Sequence, residues 1–289
     1  MAQLASDISG GSLAGRHRKN RFMSTFLTVL MAGVVAILIW VLAYVAIKGV
    51  RALDWTFLTD TPPGNPSDAG GGFANGIVGS LIIVGIAAVI AVPVGIGAAI
   101  YLSEYGGGRF ASLVRFLTDV TLGIPTIVVG AFVYAVWVIN FGFSGYAGGL
   151  AMAVVMLPLI VRASEEMLRL VPNDLREASL AMGVTRARTT LSVVLPAATS
   201  GLITGVMLAV ARAMGETAPL LLTTLGNDLF MEHDPGNRMS TLSLQIFGSA
   251  TAGFPDALAR AWAGALTLVS MVLILYVAAR LIGRRNTAR

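Results

Sequence analysis

About six runs of apolar residues, each near the length that a helix needs to cross a hydrocarbon layer, dominate this chain. Lipid offers a backbone no hydrogen-bond partners, so such runs constrain the chain to an all-α integral membrane fold of about six transmembrane helices. They cover roughly 22–47, 76–102, 120–139, 146–161, 197–222 and 261–282; the fourth is the shortest, and Pro93 and Pro158 are expected to kink the second and the fourth. Only 12% of residues are charged, about half of what a soluble domain carries. The first run follows Arg21 without a small-residue cleavage site, so it reads as a retained anchor rather than a removed signal peptide.

Charge sets the expected orientation. Arg16, Arg18, Lys19, Arg21, Arg109, Arg115, Arg162, Arg169, Arg176, Arg186, Arg188, Arg280, Arg284, Arg285 and Arg289 all fall on one side of these spans. The other side holds Lys48, Arg51, Arg238 and Arg260. The positive-inside rule then puts both termini in the cytoplasm. The resulting organisation is a cytoplasmic tail over 1–21, a membrane domain over 22–283 and a second cytoplasmic tail over 284–289. Because the basic residues flank apolar runs instead of forming a stripe, the high isoelectric point speaks for membrane topology and against nucleic acid.

Two charged residues break the apolar pattern. Arg212 and Glu216 stand four apart within the fifth run, where helical spacing puts them on one face. A charge at the bilayer centre costs on the order of 3 kcal/mol on the lenient insertion scale. Mutual neutralisation is one reason to keep the pair. The sharper reading is that the planar guanidinium of Arg212 meets an anion that must cross the membrane, while Glu216 holds and then competes for it. Arg before Glu is the weaker order for a helical pair, which hints at partners on other helices. Thr217 is a further candidate for the pathway, and Pro219 is expected to kink the helix beside the pair. Thr223 and Thr224 are better explained by bonds to their own helix backbone.

The longest interior loop, 162–196, reads as a docking element. Glu165 and Arg169 make a helical ion pair, Val171-Pro172 stops that helix, and Asp174 with Glu177 has capping-box spacing for a new one. Gly183 then sits where a left-handed cap belongs. On the opposite side, 61–72 reads as an irregular loop, and a short helix is expected around 240–247. Glycines at 79, 85, 95, 97, 201 and 205 suit close helix packing in lipid.

Glu177-Ala178-Ser179, Gly183 and Val193-Val194-Leu195-Pro196 resemble the Glu-Ala-Ala loop of ABC importer permeases, departing only in Ser179 and Val193. The resemblance implies a type I importer fold. It also implies that Asp174, Arg176, Glu177, Ala178, Ser179, Gly183, Arg186 and Arg188 couple the chain to a cytoplasmic ATPase. Ala211-Arg212-Ala213-Met214-Gly215-Glu216-Thr217-Ala218-Pro219-Leu220, Tyr101-Leu102-Ser103-Glu104-Tyr105 and Gly123-Ile124-Pro125-Thr126-Ile127-Val128-Val129-Gly130 are similar to phosphate-specific importer permeases, the A subunit more than the C subunit. The implied partners are a second homologous permease, an ATPase dimer carrying ATP and magnesium, and an external phosphate-binding protein, all at a bacterial inner membrane. The chain has no cofactor of its own to expect. It contains no Gly-x4-Gly-Lys-Ser/Thr, and His17 and His233 offer no metal spacing. A permease for sulfate, molybdate or phosphonate, and a gradient-driven secondary transporter, are the alternatives. An intramembrane enzyme would need a nucleophile or metal ligands beside Arg212, which the sequence lacks.

Overall fold

A computed structural model describes residues 13–287, and residues 1–12 and 288–289, Arg289 among them, lie outside it. Every regular element among the described residues is helical. The helices fall into two units: residues up to Lys48, and residues from Gly49 onward. Helix α1, Leu13–Val50, accounts for the described part of the first unit and continues without interruption through the basic residues before Phe22.

The second unit begins with a short helix α2, Trp55–Thr59, whose first turn is capped by Asp54: its carboxylate accepts the Phe57 amide at 2.7 Å. Helix α3, Ala74–Ile100, carries Pro93 and runs on into a π-helical turn, Tyr101–Tyr105. Helix α4, Arg109–Gly123, and helix α5, Thr126–Val133, follow, the latter extended by further turns to Phe141. Helix α6 spans Gly145–Arg169, α7 Asn173–Ala181 and α8 Arg186–Thr189; a π-helical turn joins α8 to α9, Leu195–Gly215. Helices α10, Ala218–Thr223, α11, Leu242–Thr251, and α12, Pro255–Thr287, complete the chain.

Five helical stretches are long and apolar enough to cross a membrane, and the bent pair α4–α5 makes six. The least hydrophobic of them, α6, is the central one. Its mean hydropathy is 1.8 and 67% of its apolar window is buried, whereas α3 has a hydropathy of 2.8 and is 33% buried. A helix surrounded by protein packs through small residues and does not need a lipid-facing apolar coat. Gly148 and Gly149 of α6 show why: a Cβ on Gly149 would come within 2.6 Å of Ile86, and one on Gly148 within 2.4 Å of Thr224. Gly95 against Ile160 and Gly205 against Ala163 extend the same close approach to α3 and α9. A Cβ on Gly85 or Gly97 would meet nothing within 4 Å among the described residues.

Two expected spans and one expected helix cap require correction. The third span is not a straight helix over 120–139. A 102° bend at Ile124-Pro125 ends α4 and starts α5, because proline disfavours a helical residue before it and supplies no amide. The fifth span is not continuous to residue 222 either. It ends at Gly215, with Glu216 in extended backbone (φ −74°, ψ 134°), and resumes at Ala218. Pro219 therefore opens a new helix instead of kinking the old one, a position where its missing amide costs nothing. Finally, α7 starts where expected, but its N-cap position is Pro172, which makes no side-chain cap bond, and Asp174 lies within the first turn.

At the α11 end of the bundle, the loop before α3 is held by a buried arginine. Arg260 of α12 donates to the carbonyls of Pro66, Asp68 and Gly70, at 2.8, 2.6 and 3.2 Å. The short helix expected around 240–247 is α11, shifted to Leu242–Thr251 because Thr241 caps it by accepting the Leu244 amide.

Candidate functional site

Two interrupted helices meet where the charged pair lies. Arg212 is in the last turn of α9, and Glu216 is the first residue beyond it. Across from them, Thr126 is the first residue of α5, immediately after the Ile124-Pro125 bend. The Thr126 hydroxyl donates to Glu216 Oε2 at 3.0 Å, while Arg212 Nε donates to Glu216 Oε1 at 3.3 Å. Ser243 at the start of α11 donates to the Glu216 carbonyl at 2.8 Å. Three separate elements, α5, α9 and α11, thus converge on one residue. Gly130 makes the approach possible, since a Cβ there would lie 2.6 Å from Pro219 Cα.

The depth of the pair follows from its neighbours. Arg212 shares a small cavity with Val154, Val155 and Pro158, which sit halfway along α6. Its guanidinium makes one hydrogen bond among the described residues, to Glu216, and its side chain is 43% exposed within the chain. Four of its five N–H groups therefore remain available. Non-helical backbone at membrane depth is tolerated where protein buries it or where it lines a water-filled path. Discontinuous spans whose ends face one another supply backbone and side-chain groups to an ion at that depth.

Of the expected pathway residues, Arg212 and Glu216 are together. Thr217 lies beside them in the break, and its carbonyl accepts the amides of Leu220 and Leu221. Thr223 and Thr224 are buried and donate to the carbonyls of Pro219 and Leu220 at 2.9 and 3.0 Å, so they are occupied by their own helix. Thr126 was not singled out from sequence. The signal was Pro125, which disfavours a helical residue before it and so marks a break beside Thr126.

The second group of expected residues lies at the far end of the bundle. On α7, Asp174, Glu177 and Ala178 face outward with Leu175, and Met182 after the helix is 84% exposed. Gly183 adopts the left-handed conformation (φ +80°) expected of it. Arg186 and Arg188 are exposed on α8. Arg176 and Ser179 instead turn inward. Ser179 pairs with Thr189 at 2.9 Å between hydroxyl oxygens. Arg176 reaches Glu104, with Nη2 to Oε1 at 2.9 Å, and donates to the carbonyls of Leu168 and Val171. Beside it, Glu165 accepts from both Arg169, as expected, and Arg115 of α4, at 2.6 and 2.7 Å.

The sequence pattern of the binding-protein-dependent transport system inner membrane components matches residues 91–288. The chain belongs to that family. Phosphate transport system permease protein PstA of Yersinia pestis is 42% identical over 93% of this chain and 91% of its own length. The PstA of Haemophilus influenzae is 42% identical over 84% of this chain and 86% of its own, and PstA 1 of Mycobacterium tuberculosis is 39% identical over 92% and 89%. Among solved structures, the bacterial alginate ABC transporter bound to its pentasaccharide-loaded periplasmic protein contains a chain that superposes with a TM-score of 0.62. At 13% identity, the match covers 95% of this permease and 98% of that chain. The inward-facing MetNI methionine ABC transporter gives 0.52 at 21% identity, covering 74% and 92%. These likenesses establish the fold as that of an ABC importer permease, a multi-span inner-membrane component.

Proposed function

We propose that this permease carries inorganic phosphate across the bacterial inner membrane as one half of the translocation pathway of an ATP-driven importer. The observation that carries the reading is the Arg212–Glu216–Thr126 cluster at the junction of two broken spans. Phosphate is a strongly hydrated mono- and dianion, so a path through hydrocarbon must supply positive charge and donors. Arg212 supplies both, in a planar fork that matches two phosphate oxygens. Glu216, held by Thr126, keeps Arg212 oriented between turnovers and competes with the anion, which keeps binding weak enough for release. The relatives named as phosphate permeases, alike over nearly the whole chain, support this substrate over sulfate, molybdate or phosphonate.

Energy comes from a separate ATPase dimer with its ATP and magnesium, seated on the exposed face of α7 and α8. Asp174, Glu177, Arg186 and Arg188 offer the charges of that face, and Leu175 and Met182 its apolar contact. Both termini lie in the cytoplasm on this reading, on the same side as α7. A second homologous permease completes the pathway on the open side of Arg212, and an external phosphate-binding protein delivers the substrate.

The test is radiolabelled phosphate and sulfate uptake in a strain lacking this chain, complemented with wild type or Arg212→Gln. Wild type should restore phosphate uptake alone, and the variant should insert normally yet restore none. Normal phosphate uptake by a properly inserted Arg212→Gln protein would refute the pathway role. Uptake that persists without the ATPase would favour a gradient-driven carrier.

A further inference from the structure

Arg176 lies on the helix expected to meet the ATPase, yet its guanidinium points the other way. Nε and Nη2 both contact Glu104 Oε1, at 3.2 and 2.9 Å, and the remaining donors close the carbonyl end of α6 at Leu168 and Val171. The two side chains are 16% and 12% exposed, so this is no loose surface bridge. Glu104 belongs to the π-helical turn that ends α3. Arg115 grips the same turn from α4, donating to the Leu102 carbonyl at 2.7 Å and reaching Gly106 and Glu165.

The elbow at residues 101–108 is therefore fastened on both sides. Beyond it α4 is a rod of 15 residues, about 22 Å long at 1.5 Å per residue. That rod ends at the Ile124-Pro125 bend, one residue before Thr126 and its bond to Glu216.

We infer that Glu104 and Arg176 are positioning residues that join α7 to the α3–α4 elbow, so that displacement of α7 travels along α4 to the Thr126–Glu216–Arg212 cluster. The inference rests on the reading of α7 as the ATPase seat. Were Arg176 only a cap for α6, loss of the Glu104 carboxylate would leave coupling untouched, because the carbonyl contacts do not involve it.

The experiment uses the complete transporter reconstituted in liposomes with phosphate-loaded binding protein, comparing wild type, Glu104→Gln and Glu104→Asp. ATP hydrolysis and phosphate entry are measured on the same vesicles. Glu104→Gln should assemble and hydrolyse ATP within about twofold of wild type, while phosphate moved per ATP falls at least fivefold. Glu104→Asp should recover part of that ratio. An unchanged ratio in Glu104→Gln overturns the inference, and so does failure of both variants to assemble, since the pair would then be a folding element only. A wild-type preparation that retains no ATPase or moves no phosphate would instead count against the function proposed above.

Discussion

Thr126 and Glu216 are ninety positions apart in sequence, yet a hydroxyl–carboxylate hydrogen bond of 3.0 Å joins them. Thr126 opens the helix that follows one break in a membrane-spanning segment, and Glu216 is the first residue of the other break. The bond therefore ties together the two places where the bundle is not continuous helix, and it sets the carboxylate that faces Arg212.

Thr126→Val removes that donor and keeps the side-chain shape. A hydrogen bond to a charged group contributes about 1.5–3 kcal/mol, so phosphate uptake by the variant should drop about tenfold at equal membrane abundance. Thr126→Ser should restore it. Equal transport by Thr126→Val would mean that Glu216 needs no second partner.

Helix packing gives a contrast within one residue type. A Cβ at Gly205 would sit 2.8 Å from the Ala163 Cβ, whereas one at Gly85 would meet nothing within 4 Å among the described residues. Overpacking costs about 1–3 kcal/mol, so Gly205→Val should lower the thermal midpoint of the purified permease in detergent. Gly85→Ala should leave it unchanged or raise it slightly.

Gly183 closes the turn between α7 and α8 at φ +80°. A β-branched residue there is strained by roughly 1–2 kcal/mol. Gly183→Val should reduce both ATPase recovery in pull-downs and phosphate uptake, while Gly183→Asn, which tolerates the left-handed region better, should lose less.

The Asp54 cap carries a pH signature. The Thr56 hydroxyl first, then the Phe57 amide, hold its carboxyl below the ordinary value of 3.8. A depressed folded-state value means that the stabilisation is fully present above the unfolded value and disappears as pH falls through the folded one. Thermal midpoints of wild type and Asp54→Asn should therefore run parallel near neutrality and converge below about pH 4. Parallel curves throughout would remove Asp54 from the account.

Much of the site could be read from residue order alone. A cation and an anion four apart in an apolar run, and a glycine after a short helical segment, mark their own positions because their cost in lipid or at positive φ is local. The fourth apolar stretch shows the limit. It is the shortest of the expected runs and carries Pro158, yet it forms α6, whose low hydropathy goes with burial at the centre of the bundle.

The sequence by itself determined the helical membrane class, the number and order of the spans and the place of Arg212, Glu216 and Gly183, since each follows from hydrophobic length, charge cost or backbone freedom along a short window. Only the tertiary structure decided that the third and fifth spans are both broken, that Thr126 reaches Glu216 and that Arg176 turns away from the exposed face to Glu104. Those are pairings between distant segments, and their free energy depends on which helices come close enough to exclude lipid and water from between them.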